Sequence, residues 1–161
     1  MKKISQTEIQ NLMALHQRGL DDDLINKASS LVREYPEEII LFNLLGVSFE
    51  RKGSLKDAAE AYKSALKINP NIPEMNFNLG AILFSENKVE EAIQFYEKSI
   101  QLNNRFPEAH FNLGIAFQSA GRFDDAIQCY QKAIQIQPGF FEAITNMGTI
   151  KQLQGHLDEA A

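Results

Sequence analysis

Residues 73–106 read PEMNFNLGAILFSENKVEEAIQFYEKSIQLNNRF, and residues 107–140 read PEAHFNLGIAFQSAGRFDDAIQCYQKAIQIQPGF. Laid over one another, the two lines share a proline and glutamate at the start, a Phe-Asn-Leu-Gly run, an alanine twelve positions after the glycine, and a tyrosine four after that. The register extends both ways. Gly46, Gly80, Gly114 and Gly148 recur every 34 residues, as do Ala58, Ala92, Ala126 and Ala160, and Tyr62, Tyr96 and Tyr130. Leu45, Leu79, Leu113 and Met147 precede the four glycines, and Pro36, Pro70 and Pro138 share a column in which Asn104 replaces proline. Several independent columns with one period define an internal repeat, and a period of this length means stacked supersecondary units.

Each period holds two apolar patterns of helical spacing separated by a short polar turn. In residues 39–72, Phe42, Leu45, Gly46 and Phe49 mark one face of a first helix, A, and Leu55, Ala58, Ala59, Tyr62, Ala65 and Leu66 mark a second, B. Gly53, Asn87, Gly121 and Gly155 fall between them, where a left-handed residue ends helix A. Ser54 is placed to cap helix B, with Asp57 three residues on. Pro70 and Pro138 stop helix B; Pro73 and Pro107 open the next helix A, where a missing N–H costs little. Glu74, Glu108 and Glu142 follow in the first turn, favoured by the helix dipole. The small residues let helices approach: the glycines from A, with Ala58, Ala92 and Ala126 facing them from B, while the tyrosines fill the space between successive hairpins.

The period and the order Leu-Gly, Ala, Tyr, Ala, Pro resemble the tetratricopeptide repeat, closely over residues 39–161 and in degenerate form over 5–38. The resemblance implies an all-α, right-handed α-solenoid of antiparallel hairpins: an N-terminal tail and degenerate capping hairpin in 1–38, full repeats in 39–72, 73–106 and 107–140, and a partial fourth in 141–161. In the first segment Gly19 and Pro36 keep the register, Leu24 replaces the small alanine, and Asp21-Asp22-Asp23 reads as a solvated turn starting a helix, since a metal site needs more ligands at defined spacing. Two readings of the abrupt end at Ala160-Ala161 stand. It belongs to a longer array, the reading favoured here, or its open end pairs with another copy.

Little in the chain speaks for chemistry. His16, His110 and His156 lie in different repeats, with no metal-type spacing among them or to Cys129. His110 occupies the register of Phe42 and reads as a ring-shaped filler. No phosphate-cradling loop and no nucleophile–base motif is present, so no catalytic residue, cofactor or metal is expected. The formal charge of -5 disfavours a nucleic-acid partner. No apolar run reaches membrane-spanning length and no leader follows the N-terminal residues, so a cytoplasmic protein is expected.

What remains is binding. By the resemblance, helix A lines the inner curve of the solenoid, which makes protein–protein interaction the expected function. Three inner columns follow from the register: Leu44, Asn78, Asn112 and Asn146; Asn43, Phe77, Phe111 and Thr145; Glu50, Phe84, Gln118 and Gln152. A primary amide both donates and accepts, so a row of asparagines suits the backbone of an extended peptide. The Asn78, Asn112, Asn146 column resembles the asparagine ladder in the repeat superhelix of O-linked N-acetylglucosamine transferases, with Leu44 departing from it; bonding to a neighbouring helix is the competing role. Phe77, Phe111 and Phe84 offer apolar contact or serve packing between repeats. Relatives that clamp a chaperone's C-terminal carboxylate use lysine and arginine, and these columns lack such a cluster apart from Arg51 at one edge. Two further functions fit the same residues: the substrate-recognition arm of a larger enzyme such as a glycosyltransferase, and a self-assembling structural module joined through the open C-terminal end.

Overall fold

The structure, a computed structural model, describes residues 3–159, with side chains described through Leu153. The described residues form helices only: α1 (Gln6–Gln17), α2 (Asp21–Glu34), α3 (Ile39–Arg51), α4 (Leu55–Ile68), α5 (Pro73–Ser85), α6 (Val89–Leu102), α7 (Pro107–Ser119), α8 (Phe123–Ile136) and α9 (Phe141–Glu159). They fall into two compact units, Met1–Met75 and Asn76–Ala161.

In the first unit α1 packs on α2, α2 on α3, and α3 on α4. Leu12, Leu24, Ala28, Leu31, Leu41, Leu44 and Leu45 form its core together with Tyr35 and Ala61. Leu24, at the alanine register, is fully buried. The helix starts differ in how they are satisfied. Ser5 forms a reciprocal capping box with Glu8, whereas Ser54, expected to cap α4, makes no capping bond with its side chain. Its ψ of 63° departs from the extended backbone that aims a cap side chain at the first turn.

In the second unit α6 packs on α7, α7 on α8, and α8 on α9. Leu79, Ile82, Tyr96, Ala109, Ala116, Ala126, Tyr130, Ala133 and Ile150 are among its buried residues. Pro107 opens α7 as expected, and α4 and α8 end two residues before Pro70 and Pro138. Positive φ occurs at the expected turn residues Gly53 (74°), Asn87 (62°) and Gly121 (74°), and also at Gly19 (67°). Gly155 breaks the pattern: α9 runs through it to Glu159. A left-handed turn persists where a following helix folds back, and none of the described residues beyond Gly155 forms a separate helix. Continued backbone bonding then outweighs glycine's poor helix propensity of about 1 kcal/mol. Ala160 lies outside the described residues.

The glycine column departs from expectation in its partner. A Cβ on Gly46 would stand 2.4 Å from Cε1 of Tyr62; on Gly80, 3.0 Å from Tyr96; on Gly114, 2.6 Å from Tyr130. The ring of each hairpin's own tyrosine, rather than the facing alanine, fills the space the glycine leaves. Tyr62, Tyr96 and Tyr130 are accordingly almost wholly buried. An alanine side chain is too short to occupy such a gap, and a ring edge is not. Gly148 differs again, with nothing within 4 Å of the Cβ position.

Candidate functional site

The inner columns divide between the two units. In the first, Asn43 is half-buried on α3, but Leu44 is only 4% exposed and belongs to the core, not to an open surface as expected. The Glu50 carboxylate accepts a 2.7 Å hydrogen bond from the Tyr62 hydroxyl. Arg51 is also committed. Its Nε donates to the Asp21 carboxylate at 3.0 Å and a guanidinium N–H donates to the His16 carbonyl at 3.3 Å. One arginine thereby ties the end of α1 and the start of α2 to the end of α3. Burial alone would raise the Asp21 pKa, yet hydrogen bonding to Arg51 and Ser48 and the charge of Arg51 together more than offset it and hold the carboxyl below its usual value. Lys52 pairs with Asp22 alongside. The aspartate run is thus an ion-pairing element rather than only a solvated turn.

In the second unit Phe77, Asn78, Phe84, Phe111, Asn112, Gln118 and Asn146 are half-buried, and Thr145 and Gln152 are exposed. Phe77 and Phe111 serve packing. Phe77 lies between Tyr96 and Phe106, with ring centroids at 5.8 and 4.9 Å, and Phe111 lies between Tyr130 and Phe140 at 5.8 and 4.8 Å. These tilted separations are those aromatic pairs favour. Sequence reasoning overlooked Phe106 and Phe140, although their 34-residue spacing was a signal. Thr145 is turned to its own helix, donating to the Phe141 carbonyl at 2.9 Å.

The amides meet the tyrosines. The Tyr130 hydroxyl donates to Oε1 of Gln118 at 2.8 Å. Burial pushes the Tyr96 phenol up to about 12, with a hydrogen bond from the Asn112 side chain acting against that rise; burial likewise raises Tyr130, opposed by Asn146. Asn112 and Asn146 therefore do bond to the preceding helix B. A primary amide has two N–H donors and a carbonyl with two lone pairs, so one such bond leaves most of its capacity open.

Each unit carries a cleft. One, of about 250 Å³, has Phe42, Leu45 and Phe49 as an apolar lining, with Asp57 and Glu60 beside them. The other, of about 270 Å³, is lined by the residues two periods on, His110, Leu113, Phe117, Asp125 and Gln128. His110 is 8% exposed, and its Nε2 donates to the Asn104 carbonyl at 3.2 Å. Burial lowers its pKa against that bond, so the neutral ring is favoured. The half-buried Cys129 thiol borders this cleft, and burial pushes it up to about 12, the state of an inert thiol. Among the described residues no group of three or more histidine, cysteine or acidic side chains is placed to hold a metal ion, and no described helix is long and apolar enough to cross a membrane.

These features have counterparts in known proteins. The tetratricopeptide repeat family model matches residues 107–140, and a second, described as TPR repeat, matches 46–85 and 80–121. A search of curated proteins returns no match. Among solved structures, a crystal structure of MamA aligns with a TM-score of 0.86 at 26% identity, covering 99% of this chain and 90% of that one. MamA from Desulfovibrio magneticus RS-1 aligns at 0.83 with 16% identity, covering 95% and 88%. The first repeat domain of Spaghetti (RPAP3), bound to the HSP90 peptide SRMEEVD, aligns at 0.71 with 19% identity, covering 73% and 94%. At such identities the last two likenesses speak for the fold alone. The recurring hairpins, the family models and the shared all-α solenoid fold agree: the chain belongs to the tetratricopeptide repeat family and is a protein-interaction module.

Proposed function

We propose that the chain is a non-catalytic scaffold that binds an extended peptide segment along the helix-A faces of α5, α7 and α9, using Asn78, Asn112 and Asn146. The observation that carries this reading is the half-buried asparagine column, in which Asn112 and Asn146 are each steadied by one tyrosine and keep further donors and acceptors for a ligand. Gln118 adds to it. With its Oε1 taken by Tyr130, its N–H groups remain to meet a peptide carbonyl. Phe84 supplies apolar contact, and Gln152 is accessible at the far end. Phe77 and Phe111 support the surface from beneath through their ring contacts.

A cationic clamp for an acidic C-terminus does not fit, because the Arg51 guanidinium is engaged by Asp21 and His16. Each amide–peptide bond contributes a net ~0.5–1.5 kcal/mol, and ordering a flexible ligand offsets part of that. Affinity of micromolar order follows, near about -8 kcal/mol. We place the protein in the cytoplasm, where a free thiol such as Cys129 stays reduced.

Peptides selected from a random displayed library on the parent chain, then titrated by calorimetry, test the reading. Asn78→Ala, Asn112→Ala and Asn146→Ala should each weaken binding about fivefold or more, with unchanged helical circular dichroism. Equal affinity in all three variants would remove the asparagines from the site.

A further inference from the structure

The asparagine face of α7 and α9 carries charge of one sign. Glu108 and Glu142 stand in the first turns of these helices, four residues before Asn112 and Asn146. Residues four apart on a helix share a face, about 6 Å apart along the axis, so each carboxylate stands beside its asparagine. Both glutamates are exposed. Among the described residues neither has an ion-pair partner, whereas Glu86 and Asp125 of the same unit are paired with Lys88 and Arg122. The cations nearest in sequence do not neutralise them. Lys151 follows Asn146 by five residues and lies about 140° round α9 from it, and Arg105, in the turn before α7, is exposed and pairs with neither. The helix dipole favours a carboxylate in any first turn, but it does not account for an asparagine face that bears no lysine or arginine.

On the other side of the asparagines the surface is uncharged. Gln118 follows Asn112 by six residues, about 9 Å along α7, and Phe84 holds the same register on α5. The Tyr130 hydroxyl bonds to Gln118 and also meets the Asn146 amide, so these two side chains come together at one phenol. The surface therefore has three rows: carboxylates, then asparagines, then Phe84 and Gln118.

We propose that the occupant of this surface is an extended segment with lysine or arginine at alternate positions, its cations over Glu108 and Glu142 and its intervening uncharged side chains over Phe84 and Gln118. The proposal rests on the reading that the asparagines hold the peptide backbone. Successive side chains of an extended chain point to opposite sides, and those on one side recur about every 7 Å. A backbone lying along the central row thus sends every second side chain to the carboxylates and the others to the neutral row. A block of consecutive cations would turn half of them to the row that has no charge to meet them, and an acidic segment would be repelled.

The probes are four fluorescein-labelled octapeptides: alternating Lys-Thr, alternating Gln-Thr, alternating Glu-Thr, and four lysines followed by four threonines. Each is titrated by anisotropy against the full chain. The Lys-Thr peptide should bind tightest, at least about fivefold above Gln-Thr and above the lysine block and further above Glu-Thr. Glu108→Gln combined with Glu142→Gln should bring Lys-Thr down to the level of Gln-Thr and remove most of the salt dependence of its binding. If the glutamates serve the helix dipole only, the double variant melts earlier and its affinity for Lys-Thr is unchanged; that result overturns the proposal. So does equal binding of the Lys-Thr and block peptides, or failure of Lys-Thr to bind. Asn112→Ala separates this proposal from the reading beneath it. A loss shared by Lys-Thr and Gln-Thr supports the asparagine column whatever the charge result, and no loss for either peptide overturns both.

Discussion

The Tyr130 ring covers Gly114 so closely that a Cβ on the glycine would lie 2.6 Å from its Cε1, a separation real Cβ atoms do not reach. The ring is itself fully buried and cannot swing aside without vacating the space between α7 and α8. Gly114→Leu should therefore destabilise the chain by about 1–3 kcal/mol, the range for overpacking. Gly148→Ala is the matched control. With open space around it and a better helix former in place, stability should hold or rise by up to ~1 kcal/mol. Urea denaturation of both variants checks the pair; equal midpoints for Gly114→Leu and the parent would contradict the packing described.

Asp21 and Arg51 predict an acid limb of stability. The folded-state pKa of Asp21 lies below its unfolded value, so the carboxylate stabilises the protein above about pH 4 and that contribution fades as pH falls through the folded value. The stability difference between the parent and Asp21→Asn should be level from pH 7 to 5 and shrink as the pH falls through the lowered folded value. Arg51→Ala should cost about 1 kcal/mol at neutral pH, with the same loss of effect in acid.

Tyr96 predicts an alkaline limb. Its folded pKa of about 12 stands above the ordinary tyrosine value of 10.0, so its contribution is complete below pH 10 and is lost as pH rises towards 12. Tyr96→Phe should flatten the decline of stability across that window, and absorbance titration of the native parent should show a phenol that ionises late.

Phe111 is an interior support by geometry, between Tyr130 and Phe140. Phe111→Ala should lower stability by about 2–3 kcal/mol, somewhat under the usual cost for a fully buried phenylalanine. Peptide affinity per folded molecule should change less than twofold, which thermal melting and calorimetry on the same samples can separate.

Cys129 should react slowly with a thiol-specific disulfide reagent at pH 8, since a thiol near 12 is almost wholly protonated there. Urea should release the reaction at the same midpoint as the loss of circular dichroism.

How far the sequence carried these conclusions depends on the range of each interaction. The turns at Gly53, Asn87 and Gly121 were readable because left-handed backbone is a local preference of those residues. The hairpins were readable because the period repeats and one face of each helix must be buried. The tyrosine over the glycine was not, because two short residues facing each other and a ring entering a gap leave the same columns. Arg51 reached back thirty residues to Asp21, which no local pattern encodes. The asparagine column was placed on the expected helices, but Leu44 turned inward and Phe77 and Phe111 joined ring clusters, since half-apolar positions on helix A face two neighbours and sequence does not rank them. Ser54 had the right identity for a cap and the wrong ψ, a matter of how the chain enters α4.

The glycine and the tyrosine that covers it lie sixteen residues apart, within one 34-residue period. A gene segment of that length copied or deleted whole therefore carries both partners of the contact, and no neighbouring segment must change to receive it. Unequal crossing-over can lengthen or shorten such an array without disturbing this contact, whereas the contacts of Asn112 with Tyr96 and of Asn146 with Tyr130 are split between periods and need two compatible sequences to meet. The contact that leaves no room for a side chain on Gly46, Gly80 or Gly114 is also one that each of those hairpins inherits whole.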